Sequence, residues 1–133
     1  MLFRSFEHWG LEKSLQKFVG MFAFALYDRT ENTLHLARDR LGEKPLYYGW
    51  QRHNTLLFAS ELNAMRAHPH FIDSINRDAL ALLLKHNYIP APHCIYSSVQ
   101  KLEPGTCLTI RLDGMRPGGS DRKSTRLNSS HRL

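Results

Sequence analysis

The sequence has few cysteines and no long apolar run. Its two cysteines among 133 residues, Cys94 and Cys107, are spaced for neither a disulfide framework nor a zinc site, so we interpret both as small buried apolar residues. The longest apolar run, residues 21–27, is too short for a membrane helix. The N-terminal segment contains no continuous apolar stretch, so we expect no signal peptide and a cytoplasmic location.

Common catalytic signatures are also missing. The sequence contains no Gly-Lys-Ser/Thr phosphate loop and no Gly-x-Ser-x-Gly nucleophile elbow. Its eight histidines are scattered, and His68 and His70, which flank Pro69, do not make a metal site on their own. These absences exclude the nucleotide, serine-hydrolase and zinc sites that such motifs identify.

The charge of the chain is positive but unevenly distributed. A net charge of +6 and an isoelectric point of about 9.6 ordinarily indicate a nucleic-acid or other anionic partner. Residues 116–133, however, hold five basic residues and one acidic residue, so most of the excess lies there. We therefore predict no nucleic-acid partner and no membrane partner; a nucleic-acid site in a basic tail is the alternative.

The last segment differs in composition from the rest. Residues 117–133 contain two leucines, no aromatic residue and no β-branched aliphatic residue, too little apolar surface to offset the entropy of ordering. Residues 121–131 also resemble the translated read-through of a sequencing adapter. We therefore predict that residues 115–133 form a disordered, non-native tail, and the fold prediction leaves them out.

The first part of the chain predicts a helix followed by a strand. Residues 2–9 carry apolar side chains at helical spacing with no capping residue ahead of them, so the chain is expected to begin inside an amphipathic helix. Gly10 interrupts this helix, and residues 11–18 continue it up to Gly20. The following run, residues 21–28, is apolar on both faces and predicts a strand that is covered on both sides.

The rest of the chain alternates between further strands and helices. The predicted strands are residues 33–37, 46–50, 55–60 and 106–112. The predicted helices are residues 61–67 and residues 77–86, the second with Asn76 as its N-cap. Short turns join consecutive strands, so the sheets are expected to be antiparallel. The predicted fold class is α+β, with layered sheets and flanking helices.

A charged segment joins two of the predicted strands. It reads RDRLGEKP from Arg38 to Pro45. Charged groups that are covered at a strand end need partners, Gly42 permits a tight turn or a close backbone approach, and Pro45 fixes the entry into the next strand. The segment is either the wall of a functional site or a salt-bridged connection that holds two layers together, and the residues alone favour the connection.

Three ordered motifs resemble a known enzyme family. They read GMFAFALYD from Gly20, ARDRLGEKPLYYG from Ala37 and FASEL from Phe58, and they are followed by YIPAP from Tyr88 and KLEPG from Lys101. In this order and at these separations they resemble the glutamine-hydrolysing asparagine synthetases. The resemblance covers about residues 1–112 and corresponds to the C-terminal half of a class II glutamine amidotransferase domain.

The resemblance implies a fold and a reaction. The fold is a partial four-layer α/β/β/α sandwich of the N-terminal-nucleophile hydrolase type. In this family an N-terminal cysteine attacks glutamine, and a synthetase domain uses the released ammonia after activating aspartate with ATP and Mg²⁺. Glutamine and aspartate are therefore the expected partners of the full-length protein, and we also expect that the chain can form a homodimer.

The departures from the family pattern limit what can be transferred. The chain begins Met1-Leu2 rather than with a cysteine, and it lacks the Ser-Gly-Gly-x-Asp-Ser loop of the synthetase domain. We therefore expect no catalytic, cofactor-binding or metal-binding residue here, and an inactive isolated chain. The matching motif residues are expected to support the glutaminase site as scaffold: Arg38, Asp39, Gly42, Lys44, Pro45, Ser60 and Glu61.

The resemblance also sets domain boundaries and leaves alternatives. Residues 1–88 are interpreted as part of the amidotransferase domain, and residues 89–114 as its end and the lead-in to the synthetase domain. One alternative is a fragment of another class II amidotransferase. The other is a non-catalytic module that acts as a scaffold or dimerises.

Overall fold

The computed structural model describes residues 2–112 and 128–132. Its elements in chain order are α1 Leu2–Lys17, β1 Ala23–Asp28, β2 Thr33–Arg38, β3 Tyr47–Gln51, β4 Thr55–Ala59, α2 Leu62–Arg66, α3 Arg77–His86, β5 Gln100–Lys101, β6 Thr106–Arg111 and β7 Asn128–Arg132. The predicted helices and strands are confirmed to within two residues at their ends. None of the helices that the structure describes has the length and apolar character needed to span a bilayer.

Helix α1 bends at Gly10, as the sequence predicts. This residue has φ 75° and ψ 171°, which lies outside the helical region, so two helical pieces meet there. The buried Ser14 hydroxyl lies within hydrogen-bonding distance of the carbonyl oxygens of Gly10 (2.6 Å) and Ser5 (2.8 Å), and its single proton is donated to one of them at a time. The second helical piece packs Leu11 and Leu15 against the first sheet.

The described strands form two antiparallel sheets. The first sheet has the order β1-β2-β6-β7 and the second has the order β4-β3-β5. The two sheets share one core: Leu36 of β2 and Ile110 of β6 are fully buried, and Tyr48 and Trp50 of β3 pack against the same cluster. The inner faces of both sheets are therefore apolar.

Helices cover the outer faces of the two sheets. Ala37 of β2 points away from the inter-sheet core and packs with Leu15 of α1. On the other side of the molecule, Leu57 of β4 packs against Met65 of α2. The layer order is α1, first sheet, second sheet, α2. This is a four-layer α/β/β/α arrangement with antiparallel sheets, and the α+β prediction is confirmed.

Strand β1 differs from its prediction. It was expected to be covered on both faces, but it lies at an edge of the first sheet, and Ala25 and Tyr27 are exposed. Tyr27 is 50% exposed and its hydroxyl donates a hydrogen bond to the side-chain oxygen of Asn32 (2.8 Å). The reason is local: in the described residues, the second sheet covers the Ala23 end of this face but not its far end.

Two short strands were not predicted. β5 has two residues, too few for any periodicity, and it forms only because β3 supplies hydrogen-bonding partners. β7 lies within the segment that was predicted to be disordered, and it pairs with β6 through Thr106–Arg132 and Cys107–His131. The backbone groups along this edge of β6 supply the hydrogen-bonding partners of the strand. Residues 113–127 and 133 of that segment lie outside the described residues.

Candidate functional site

The two motif segments leave the second sheet at the same end. Residues 38–45 connect β2 to β3 and therefore link the two sheets. Residues 60–61 connect β4 to α2. Because Tyr47 at the start of β3 pairs with Ala59 at the end of β4, the first connection enters the second sheet and the second leaves it at the same end. We refer to the segment from Arg38 to Pro45 as the sheet connector.

Asp39 is the centre of the sheet connector. Its side chain is 2% exposed, and the carboxylate accepts hydrogen bonds from the backbone N–H groups of Glu43 (3.0 Å), Lys44 (3.0 Å) and Phe22 (3.4 Å). Its carbonyl oxygen accepts from Gly42 (3.0 Å) and Gly105 (2.8 Å). Asp39 is thus hydrogen-bonded to three segments: the residue before β1, the connector itself and the turn before β6.

The carboxyl group of Asp39 remains ionised in the folded protein. Burial raises its pKa, but the backbone N–H groups of Lys44, Glu43 and Phe22 stabilise the charged form and outweigh the burial effect. The net result is a pKa below the ordinary value for aspartate. A carboxylate that is held in this way by backbone N–H groups organises the backbone around it.

Arg38 binds three carbonyl oxygens from two segments. Its Nε donates to Lys44 (2.8 Å), its Nη2 to Gly42 (2.6 Å) and its Nη1 to Leu102 (2.6 Å). The planar guanidinium fork can satisfy three acceptors at once, which a lysine cannot. In the described residues, the charged groups of Arg38 and Asp39 therefore meet backbone groups, and these backbone hydrogen bonds, rather than the expected salt bridges, hold the connector.

Gly42 is required by both its backbone and its surroundings. Its φ is +68°, a region that side chains disfavour, and an added Cβ would lie 2.7 Å from Cγ of Pro104 and 3.1 Å from Cζ of Arg38. The turn before β6 therefore packs directly onto the connector. This contact explains why a Glu-Pro-Gly turn distant in sequence belongs to the same site.

Arg40 fixes the connector to the end of α1. Its two terminal nitrogens donate to the carbonyl oxygens of Phe18 (2.8 Å) and Gln16 (2.8 Å). A cleft of about 320 Å³ lies beside this contact, lined by Val19, Gly20, Met21, Asp39, Arg40, Leu41 and Glu43. The connector is thus both a link between layers and the wall of a cleft, so the two interpretations of the sequence are compatible.

The side chains of the other predicted site residues lie outside this network, although the backbone of Lys44 belongs to it. Lys44 and Pro45 are exposed to solvent. Ser60 and Glu61 are also exposed, just before α2 begins. Glu61 is the N-cap of α2, but its side chain makes no capping hydrogen bond. The structure therefore brings Arg38, Asp39 and Gly42 together, whereas the remaining four residues stay at the surface nearby.

Sequence reasoning missed a second close backbone contact. A Cβ added at Gly49 would lie 1.9 Å from the carbonyl oxygen of Ser98, so the segment before β5 passes directly over β3. The signal was present in the sequence as a glycine inside an aromatic strand, which often marks a close backbone approach. Ser98 and Gln51 close this contact through a 3.2 Å hydrogen bond.

The cysteines give no further site, and no three metal-binding side chains of the described residues do so either. Cys94 and Cys107 are both buried free thiols, which confirms their interpretation. Burial raises the pKa of Cys107 to about 11 and also raises the pKa of Cys94, so both are protonated at neutral pH. Within residues 2–112 and 128–132, no three histidine, cysteine or acidic side chains are placed to hold a metal ion.

The layered α/β/β/α fold and the motif of the sheet connector can be compared with those of known protein families. Residues 1–120 match the family model of the glutamine amidotransferase domain, and the chain belongs to that family. The relatives are more specific. The chain is 34% identical over 114 residues to asparagine synthetase [glutamine-hydrolyzing] 1 of Bacillus subtilis, which covers 86% of this chain and 18% of that protein.

A second relative gives the same result. Asparagine synthetase [glutamine-hydrolyzing] 3 of Bacillus subtilis is 33% identical over 116 residues, which covers 86% of this chain and 19% of that protein. The chain therefore spans under a fifth of the length of the curated relatives that it matches. The resemblance to the amidotransferase domain of asparagine synthetases that the motifs indicated is confirmed.

Proposed function

We propose that this chain is part of the glutaminase unit of a glutamine-dependent asparagine synthetase. The observation that supports the proposal is the sheet connector: Asp39 organises its backbone, and the chain that contains it is similar to asparagine synthetases over 86% of its length. In the proposed enzyme, glutamine supplies the amide nitrogen and aspartate receives it. No catalytic residue is assigned to this chain.

The sheet connector is proposed to act as scaffold for glutamine hydrolysis. Asp39 and Arg38 fix backbone from three segments, and they are fully engaged in doing so. Their role is therefore to hold the wall of the cleft in place rather than to contact the reacting atoms. The exposed residues Lys44, Pro45, Ser60 and Glu61 are proposed to support the same site from the adjoining surface.

ATP and Mg²⁺ belong to the proposed whole enzyme but do not fit the described residues. The sequence has no phosphate loop, and the described histidine, cysteine and acidic side chains form no metal-binding group of three or more. The proposal therefore derives no step through ATP or Mg²⁺ in this chain. It also includes no nucleic-acid or membrane partner, because the excess positive charge lies mainly in residues 116–133.

The isolated chain is proposed to be inactive as a glutaminase. The test is ammonia release from glutamine by the purified 133-residue chain, compared with a protein-free sample. We expect equal rates, because both thiols of the described residues are buried and protonated and are therefore poor nucleophiles. Ammonia release above the protein-free rate would overturn this part of the proposal.

A hybrid enzyme tests the assignment to a glutaminase unit. Residues 1–112 would replace the matching segment of asparagine synthetase [glutamine-hydrolyzing] 1 of Bacillus subtilis. We expect glutamine-dependent asparagine formation to persist, and Asp39→Asn in the hybrid to lower it without affecting formation from added ammonia. Asp28→Asn is the matched control, since this aspartate also accepts two backbone N–H groups but in an exposed turn.

The hybrid has a clear opposing outcome. A folded hybrid that forms asparagine from ammonia but not from glutamine would contradict the assignment. Equal losses for Asp39→Asn and Asp28→Asn would contradict the scaffold role of the sheet connector.

A further inference from the structure

Three histidines meet at the end of the second sheet that lies opposite the sheet connector. His53 is in the turn between β3 and β4, and His68 and His70 follow α2. The ring centres of His53 and His70 are 4.8 Å apart, and those of His68 and His70 are 5.1 Å apart. Only His68 and His70 are neighbours in the sequence, so the fold adds a third imidazole to this pair.

Two hydrogen bonds hold the turn against the segment after α2. The backbone N–H of Arg52 donates to the carbonyl oxygen of His70 (3.1 Å). The backbone N–H of Ile72 donates to the side-chain oxygen of the buried Gln51 (2.8 Å). The backbones that carry His53 and His70 are therefore fixed next to each other before any ligand arrives, which lowers the cost of binding one.

The ring of His70 is oriented to use its Nε2 as a ligand atom. Its Nδ1 lies 2.9 Å from Oγ1 of Thr55, the first residue of β4. When Nδ1 carries the ring proton, it donates to this hydroxyl oxygen, and Nε2 keeps its lone pair. Metal-binding histidines almost always have such a partner on the nitrogen that does not bind, because it fixes both the tautomer and the orientation of the ring.

His68 has a different role. Its Nδ1 accepts a hydrogen bond from the backbone N–H of His70 (3.2 Å), so in the neutral ring the proton is on Nε2 and no lone pair is free there. The ring of His68 packs edge-on against that of His70, at an angle of 76°. His68 therefore supports His70 instead of adding a third ligand, which agrees with the lack of a three-ligand group in the described residues.

The spacing of His53 and His70 suits one shared ion. A metal–nitrogen bond of about 2.1 Å places the centre of each imidazole roughly 3.2 Å from the ion, so two rings at square-planar or tetrahedral angles have centres about 4.5 to 5.2 Å apart. The observed 4.8 Å lies within that range. His53 is exposed to solvent, so an ion can reach the pair and keep water as its remaining ligands.

We propose that His53 and His70 bind one divalent transition-metal ion, with water completing its coordination. Imidazole nitrogen favours Cu²⁺, Ni²⁺ and Zn²⁺, whereas Mg²⁺ and Ca²⁺ prefer oxygen ligands. Two protein ligands make a site of modest affinity, and Cu²⁺ is expected to bind most tightly of the three metals.

Calorimetric titration of the full chain with Ni²⁺ tests the proposal. We expect one ion per chain with a micromolar dissociation constant, and no binding of Mg²⁺. His53→Asn and His70→Asn are each expected to weaken Ni²⁺ binding at least about tenfold, because each removes one of the two ligands. The matched control is His93→Asn, which removes an exposed histidine elsewhere. An absence of Ni²⁺ binding, or equal effects of all three variants, would overturn the proposal.

The electron paramagnetic resonance spectrum of bound Cu²⁺ identifies its ligands directly. We expect nitrogen couplings from two imidazoles in the parent chain and from one imidazole in His53→Asn and in His70→Asn. Circular dichroism checks that each variant keeps the fold. A spectrum that neither substitution changes would place the ion elsewhere and contradict the proposal.

Thr55→Val tests whether His70 is held as a ligand. Valine keeps the β-branched shape that suits a strand but lacks the hydroxyl oxygen that accepts from Nδ1. The affinity for Ni²⁺ is expected to fall at least about threefold, although both ligands remain. An unchanged affinity would contradict the positioning role of Thr55.

The metal measurement is separate from the proposed enzymatic role. It needs no glutamine, aspartate or ATP, and its variants leave the sheet connector unchanged. Metal binding with an inactive hybrid enzyme, or the reverse, would therefore show which of the two proposals has failed.

Discussion

The two connections at the shared end of the second sheet differ in how they treat charge. The sheet connector buries Asp39 and engages its carboxylate with two backbone N–H groups of the connector itself and with that of Phe22. The connection between β4 and α2 leaves Ser60 and Glu61 in solvent, and Glu61 makes no capping hydrogen bond. Both are polar motifs of similar appearance in the sequence. The difference shows that a charged residue organises a fold only where backbone groups converge on it.

The largest expected effect comes from neutralising the buried carboxylate. Asp39→Asn is expected to lower the free energy of unfolding by about 3 kcal/mol, because an amide NH₂ replaces one acceptor oxygen and leaves a buried N–H group unpaired. Urea unfolding of the variant and the parent chain measures the difference. Asp28→Asn in its exposed turn is the control and is expected to cost less than 1 kcal/mol, roughly.

The carboxylate of Asp39 is also expected to make the stability of the chain depend on pH in the acid range. The folded pKa of Asp39 lies below the unfolded value, so its contribution is fully present above the unfolded pKa and is lost as pH falls through the folded pKa. Stability of the parent chain should therefore fall below about pH 4, the ordinary range of aspartate. Asp39→Asn should show a smaller loss over that range, and an identical acid profile would contradict this assignment.

The next effect tests the close contact at the turn of the connector. Gly42→Ala is expected to destabilise the chain by about 2 kcal/mol, because it adds backbone strain and a clash with Pro104. Gly10→Ala has a similar φ of +75° but meets nothing within 4 Å, so it measures the backbone strain alone. Equal changes in thermal unfolding for the two variants would show that the Pro104 contact carries no cost.

The smallest effect is expected at the exposed connection. Glu61→Gln should change the free energy of unfolding by less than about 0.5 kcal/mol, because the side chain is exposed and makes no capping bond. The measurement is the same urea series that is used for Asp39→Asn. A loss similar to that of Asp39→Asn would remove the distinction between the two connections.

Much of the fold could be predicted from local patterns. Apolar spacing predicted α1 and its break at Gly10, Asn76 predicted the start of α3, and turn residues placed the hairpins. The side-chain oxygen of Asn76 does accept from the backbone N–H groups of Asp78 and Ala79, both at 3.1 Å. These features depend on interactions between residues close in sequence, so the sequence carries them directly.

The candidate site was predicted only as a set of residues. The motif indicated that Arg38, Asp39 and Gly42 belong together, but not that their partners would be Leu102, Pro104 and Gly105. Those contacts span more than sixty positions, and nothing in the local pattern encodes them. The same limitation explains why the exposure of Lys44 and Glu61 was not foreseen.

The sequence by itself determined the family, the strands and helices, and the identity of the connector residues, because these follow from motif order and local periodicity. Only the tertiary structure decided which charges are buried, which strand lies at an edge and which histidines lie together. The physical reason is that burial is a property of what packs from elsewhere in the chain. Asp39 and Glu61 are both acidic residues beside a sheet, and only the surrounding backbone makes one structural and leaves the other at the surface.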